Sequence, residues 1–157
     1  MSTGDHSDDL EVRKARPGEA ARIASFQVAM ARETEGLELN PAVVERGVAE
    51  VFRRPSLGRY FVALRDGRVI ASLLITYEWS DWRSAMVWWI QSVYVVPEER
   101  RKGVFGRMYR HLHERVMADP DISGLRLYVD KSNTVARKVY RRLGMDGDHY
   151  ALYEWMK

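Results

Sequence analysis

Three strand-like runs follow one another between Arg59 and Val96, joined by two short turns. "RYFVALR" at 59–65 and "RVIASLLITYEW" at 68–79 are separated by Asp66-Gly67, a pair suited to a tight hairpin turn. "SDWRS" at 80–84 makes the next turn, into "MVWWIQSVYVV" at 86–96, which is rich in β-branched and aromatic residues and is ended by Pro97. Turns this short leave only antiparallel pairing. The middle of the chain is therefore a three-strand antiparallel run, and everything else must pack against it.

On both sides the apolar period changes. "LEVRKA" at 10–15 alternates as a half-exposed strand does, and Pro17 and Glu19 suit a first helical turn ahead of Ile23, Phe26 and Met30 on one helical face. A second helix starts at Pro41, with Val44, Val48, Val51 and Phe52 on its buried side. After the meander, Val104, Met108, Leu112 and Val116 recur every four residues, a helix stripe over 103–118. "LRLYV" at 125–129 reads as a short buried strand, 133–143 as a helix closed by Gly144, and "HYALYEWM" at 149–156 as a final strand. The expectation is a single α/β domain over 10–157, a mixed and mostly antiparallel sheet flanked by helices, behind a flexible lead of residues 1–9.

Composition narrows the function classes. The chain has 157 residues, a length suited to one domain, and no cysteine, which removes disulfides, thiolate metal sites and a cysteine nucleophile. The 25 basic residues are interspersed with 22 acidic ones for a net charge of +3, a weak basis for nucleic-acid binding. No stretch approaches a membrane span, and "MSTGDHSDD" is unlike a signal peptide, so a cytoplasmic location is expected. His111 and His113 stand two apart on a helix and make a poor metal pair, His149 is isolated, and no metal is expected.

The densest chemical signal is "RRKGVFG". Gly103 and Gly106 bracket the first turn of a helix whose unpaired N–H groups carry the positive end of the backbone dipole, and Arg100, Arg101 and Lys102 add charge beside them. Glycines let phosphates reach those N–H groups, so a pyrophosphate is the natural guest. A solvated basic turn is the plainer alternative. Downstream, "NTVARKVYRRLG" sets Asn133, Ala136, Arg137, Tyr140 and Gly144 at steps of three and four on one helix face, along which an extended ligand could run. Taken alone, Tyr140 also reads as a core tyrosine.

The R-x-x-G turn followed by N-x-x-A-x-x-x-Y-x-x-x-G resembles the GNAT superfamily of acetyl-CoA-dependent N-acetyltransferases, and the element order from about residue 10 to the end resembles that fold. The resemblance implies transfer of acetyl from acetyl-CoA to a primary amine, with the cofactor between the "WWIQSVYVV" and "LRLYV" strands. It implies that Val93 and Val95 offer backbone groups to the pantetheine arm, that Arg100, Arg101, Lys102, Gly103, Val104, Phe105 and Gly106 hold the pyrophosphate, and that Asn133 and Arg137 flank the cofactor. Tyr140 would protonate the leaving thiolate. Such relatives often dimerise, which implies a homodimer. A non-catalytic acyl-CoA-binding module and a basic nucleic-acid binder are the alternatives.

Two departures stand out. Phe105 occupies a place where the family usually has glycine or alanine, with Gly106 one step later. Gln91 stands where many members carry a glutamate, and an amide cannot take a proton. Yet an alkyl ammonium must lose a proton to react, at a cost of about 4 to 5 kcal/mol at neutral pH. Glu78 is the leading acceptor of that proton, with Asp81 second. Around them, Glu33, Glu35, Glu78 and Asp81 with Trp79 and Trp82 suit an organic cation, a small or polyamine-like amine, with Gln91 orienting substrate or water. The tryptophans, Trp88 and Trp89 included, also read as simple cover for the sheet.

Overall fold

The computed structural model describes residues 9–157. Its elements run β1 (Leu10–Lys14), α1 (Ala20–Glu35), α2 (Pro41–Arg53), β2 (Arg59–Arg65), β3 (Arg68–Ser80), β4 (Ala85–Val95), α3 (Val104–Ala118), β5 (Ile122–Leu127) and α4 (Thr134–Arg142). They fall into two compact units, one ending at Leu127 and the other spanning Tyr128–Lys157. Apart from Asp9, the lead expected at 1–9 lies outside the described residues.

In the first unit the five strands lie in sequence order, antiparallel from β1 to β4 and parallel between β4 and β5. The sheet is thus mixed and mostly antiparallel, as its turns require. Asp66 and Gly67 both take left-handed backbone, φ 50° and 73°, as the tight hairpin between β2 and β3 demands. The parallel step from β4 to β5 needs a long crossover, which α3 supplies.

β2 is buried on both faces, and its alternation deals side chains to two helical layers. Tyr60, Val62 and Leu64 join Ile23 and Ala24 of α1 and Val48 of α2 in one core cluster, with Val44, Val51, Phe52 and Leu74 packed against it. Phe61 points the other way, its ring 5.8 Å from His111 of α3 and 6.4 Å from Trp88 of β4. Met108 and Leu112 of α3 are fully buried, as their spacing predicts. α2 begins at Pro41 with Asn40 as its cap, whose side-chain oxygen accepts from the Ala42 N–H at 3.0 Å. Among the described residues no helix is long and apolar enough to cross a membrane.

In the second unit α4 is capped by Asn133 and followed by Gly144 at φ 87°. Two expectations need correction. The last strand of the sheet is Ile122–Leu127, earlier than the 125–129 read from hydrophobicity, because its register is set by pairing: Met86 lies opposite Ile122, Ile90 opposite Leu127, and the Met86 N–H reaches the Asp121 carbonyl at 2.8 Å. The strand expected at 149–156 is not formed, and residues 149–157 carry no regular structure. Alternating aromatics favour a strand only where a neighbour completes the ladder, and the unit Tyr128–Lys157 contains no strand.

Candidate active site

The site begins with a defect in the sheet. Ser72 of β3 lies opposite Tyr94 and Leu74 opposite Gln91, so Ser92 and Val93 of β4 together face Leu73 alone. This is a β-bulge, and Ser92 takes left-handed backbone, φ 52°, to make it. At the same place β4 parts from β5, whose last paired residue on β4 is Ile90. From Gln91 to Val95, β4 therefore runs on with no strand on its β5 side among the described residues. The Val96 N–H donates to the Ile70 carbonyl at 2.9 Å, so alternation turns the Val95 N–H and carbonyl to the open edge. An extended amide chain laid there would find the Val95 N–H, whereas the Val95 carbonyl already accepts from Arg100.

The open edge leads to the basic turn. Arg101 and Gly103 both have left-handed backbone, φ 63° and 73°, and α3 starts at Val104. A β-carbon built on Gly103 or Gly106 would meet nothing within 4 Å, so neither glycine is required by packing around it; Gly103 is favoured by its conformation alone. No side chain caps the N-terminus of α3, whose first N–H groups lack partners within the helix. Phe105 turns its ring to Tyr109 at 6.4 Å.

The three cations of the turn differ. Lys102 stands 3.7 Å from Glu99, which also pairs with Arg65 at 3.0 Å. Arg100 donates from Nε to the Val95 carbonyl at 2.9 Å and from Nη2 to Glu33 at 2.7 Å, with its guanidinium 5.4 Å from the Tyr94 ring. Tyr94 in turn donates its hydroxyl to Glu33 at 3.2 Å. Burial first, then the Glu33 carboxylate, pushes that phenol above its ordinary pKa, so it stays a donor. Arg101, among the described residues, enters no ion pair. Glu33, read from sequence beside the acceptor, braces α1 against the start of the turn through Arg100 and Tyr94.

A second cluster lies on the sheet face that carries α1 and α2. Thr76 and Glu78 of β3, Trp89 and Gln91 of β4 and Arg126 of β5 share this face by register. Gln91 donates its amide to the Thr76 hydroxyl at 2.5 Å. Glu78 and Arg126 reach toward each other across β4 and pair at 2.5 Å, the guanidinium 6.0 Å from the Trp89 ring. The pair is half-exposed, with side chains 44% and 31% accessible. Gln91 is the first residue of β4 beyond β5, so the cluster sits where the open edge begins.

The rest of the acidic and aromatic set is dispersed. Asp81 accepts the N–H of Trp82 within its own turn at 3.0 Å, and Glu35 is exposed at the end of α1. Trp79 follows Glu78 and so points to the other face, 57% exposed, while Trp82 is 91% exposed. Arg126, Thr76 and Tyr94 did not stand out in the sequence. Only the strand register brings Arg126 to Glu78, and nothing in "SGLRL" announces it.

In the second unit the Asn133 side chain accepts from the Ala136 N–H at 3.0 Å, and Arg137 donates to the Lys131 carbonyl at 3.2 Å. Tyr140 lies seven residues beyond Asn133, about 10 Å along the helix. Burial pushes its phenol above the ordinary value, so it holds its proton throughout the neutral range.

Comparison with known proteins identifies this arrangement. The model of the Acetyltransferase (GNAT) family matches residues 24–145. A possible acetyltransferase from Clostridium difficile 630 is 39% identical, covering 96% of this chain and 99% of its own, with a TM-score of 0.88. A predicted acetyltransferase from Clostridium acetobutylicum, crystallised with acetyl-CoA, is 19% identical over 92% of this chain and 96% of its own, TM-score 0.70. The ribosomal-protein-alanine N-acetyltransferase of Brucella melitensis biovar Abortus 2308 has the same fold at 13% identity, over 94% of this chain and 99% of its own, TM-score 0.76. No functionally curated protein matches. With a family model spanning most of the chain and a relative of this identity along nearly its whole length, the protein belongs to the GNAT family of acetyltransferases and is an acyltransferase.

Proposed function

We propose that the protein transfers acetyl from acetyl-CoA directly to a primary amine. The observation that carries the reading is the unpaired edge of β4 from Gln91 to Val95, running toward the open N-terminus of α3. The pantetheine arm adds to that edge through Val95 and Val93. The pyrophosphate lies on the N–H groups of Val104, Phe105 and Gly106, with Arg101 as the cation whose charge is not already answered. Arg100 is a brace more than a phosphate ligand, and Asn133 and Arg137 shape the N-terminal turn of α4. That a predicted acetyltransferase of the same fold crystallises with acetyl-CoA supports the choice of cofactor.

The thioester then stops near Gln91, and the acceptor lies on the face bearing Thr76, Glu78 and Gln91. Glu78 takes a proton from the ammonium. The amine lone pair forms the new N–C bond, the C–S bond breaks, and sulfur leaves with its electron pair to be protonated by Tyr140. The second proton lost by nitrogen restores the phenol through water, so one proton is released per turnover. A phenol whose pKa burial has raised is protonated when needed, and it donates to a thiolate whose conjugate thiol lies near 8.5.

Tyr140→Phe with Glu78→Gln is the test, read as thiol release from acetyl-CoA with the best amine found. Tyr140→Phe should lower kcat by about 10² to 10⁴-fold with acetyl-CoA affinity retained, the usual range for general acid catalysis. Glu78→Gln should lower turnover most below the pH at which free amine becomes abundant. Full turnover in Tyr140→Phe would remove the acid, and wild-type rates in Glu78→Gln would give the proton to solvent.

A further inference from the structure

We infer that Thr76 is a positioning residue: its hydroxyl holds the Gln91 amide so that the Gln91 carbonyl oxygen receives the one N–H that the acceptor nitrogen keeps through acetylation. The inference rests on the preceding reading, that the acceptor lies on the face bearing Glu78 and Gln91, and adds how that face aims the nitrogen.

Thr76 lies opposite Trp89, and Gln91 opposite Leu74, so Thr76 and Gln91 are diagonal neighbours on one sheet face, about 7–8 Å apart at the backbone and within reach of a long side chain. Gln91 spans that gap and donates from Nε2 to Thr76 Oγ1 at 2.5 Å. Its oxygen, at the other end of the same rigid plane, accepts nothing among the described residues. Thr76 is itself held in place. A β-carbon on Gly58, just before β2, would come 2.6 Å from the Ile75 carbonyl oxygen and 3.4 Å from the Thr76 methyl, so bare backbone is needed there and the methyl lies against it. With the methyl placed, the hydroxyl is placed as well, since a β-branched side chain has few choices of χ1. Glycine at 58, threonine at 76 and glutamine at 91 form one chain of contacts that ends at a carbonyl oxygen, on the first residue of β4 beyond β5.

The reaction has a use for that oxygen. When Glu78 takes one proton from the ammonium, the nitrogen keeps two N–H groups and gains a lone pair, which must face the thioester carbon. A hydrogen bond from one N–H to the Gln91 oxygen fixes the nitrogen's orientation and leaves the lone pair free to attack. The lone pair forms the N–C bond, the other proton then leaves the nitrogen, and the bonded N–H remains in the product amide. A neutral oxygen accepts from the ammonium and from the free amine alike, so it orients both and leaves proton removal to Glu78. A primary amine keeps its N–H from start to finish. An N-methyl amine has none left in its product, and it leaves the oxygen that Thr76 has positioned without a donor.

The test uses the full chain, acetyl-CoA and a panel of primary amines, each beside its N-methyl derivative, read as thiol release. Wild-type turnover comes first: if no amine reacts, or acetyl-CoA does not bind, the proposed function fails and this inference with it. Where the wild type turns over, the variants decide the inference alone. Thr76→Val keeps the methyl against Gly58 and loses only the hydroxyl. It should lower kcat/KM for the best amine by about tenfold, the scale of one lost hydrogen bond, with acetyl-CoA affinity retained. The acidic limb of its pH profile should stay in place, because that limb belongs to Glu78, and Thr76→Ser should recover part of the loss. The preference for the primary amine over its N-methyl derivative should shrink in Thr76→Val and in Gln91→Leu, and Thr76→Val should cost nothing further once Gln91 is leucine, as expected of two residues that act through one contact. Wild-type kinetics in Thr76→Val, or its full effect in the Gln91→Leu protein, would overturn the inference. If Thr76→Val does not fold, Gln91→Leu decides by itself: an undiminished preference for the primary amine in that variant overturns the inference, and a lost preference upholds it.

Discussion

Gly106 separates what the fold needs from what a ligand needs. It lies within the first turn of α3, where glycine costs about 0.5–1 kcal/mol relative to alanine, and open space surrounds the position a β-carbon would take. Gly106→Ala should therefore raise the melting temperature of the unliganded protein slightly. It should at the same time weaken acetyl-CoA binding, measured by titration calorimetry, because the methyl group intrudes on the path to the N–H groups. An alanine variant that binds as well as wild type would move the pyrophosphate elsewhere. The glycine pair, the basic turn and Tyr140 were legible because each departs from what a plain helix or loop would contain. Arg126 and the brace between Glu33, Arg100 and Tyr94 were not, since their meaning lies in which residues the sheet register and α1 bring together across 48 and 67 positions of chain.

Among the elements, β1 and the entry to α1 are tied by one carboxylate. Glu19 accepts from both guanidinium ends of Arg13, at 3.1 and 2.5 Å, and from the Arg16 N–H at 2.8 Å. The hydrogen bonds from Arg13, more than burial opposes, hold its carboxyl below the usual range. A carboxylate with a folded pKa below its unfolded value of about 4.5 contributes stability above that pH and loses it as pH falls through the folded value. Glu19→Gln should therefore cost about 1–2 kcal/mol at pH 7 in denaturant unfolding, with the deficit shrinking below about pH 4.5. A constant difference down to pH 3 would show that the contact acts through packing. Tight turns and caps made most element boundaries readable: Asp66-Gly67, Asn40-Pro41 and Gly144 each fix one locally. β5 and the absent terminal strand were misread because strands are completed by their neighbours, and no local pattern reports a neighbour.

For the whole molecule, the cofactor should act as a stabiliser by mass action. Acetyl-CoA at about 100 times its dissociation constant adds roughly 2.7 kcal/mol, which for a chain of this size raises the melting temperature by about 5–10 °C. A flat thermal-shift curve at millimolar acetyl-CoA would sink the proposed function at its first step. The sequence made the general fold and the family readable because the meander and the two helix motifs are each strongly patterned and occur in an order few folds share.

The unpaired run of β4 has another side. Backbone donors and acceptors set in a row at a sheet edge are a template for any passing strand, and proteins usually blunt such edges with charge, proline or a covering loop. Here Arg100 blocks one carbonyl, at Val95, while the run itself, "QSVYV", holds no charged residue. The cofactor would then be also a sheath for the sheet, and the emptied enzyme the form at risk. Light scattering at 37 °C should rise sooner after CoA is stripped from the protein than with CoA restored, even when the two samples are equally folded at the start. The site that gives the enzyme its substrate would be the one through which, unoccupied, it aggregates.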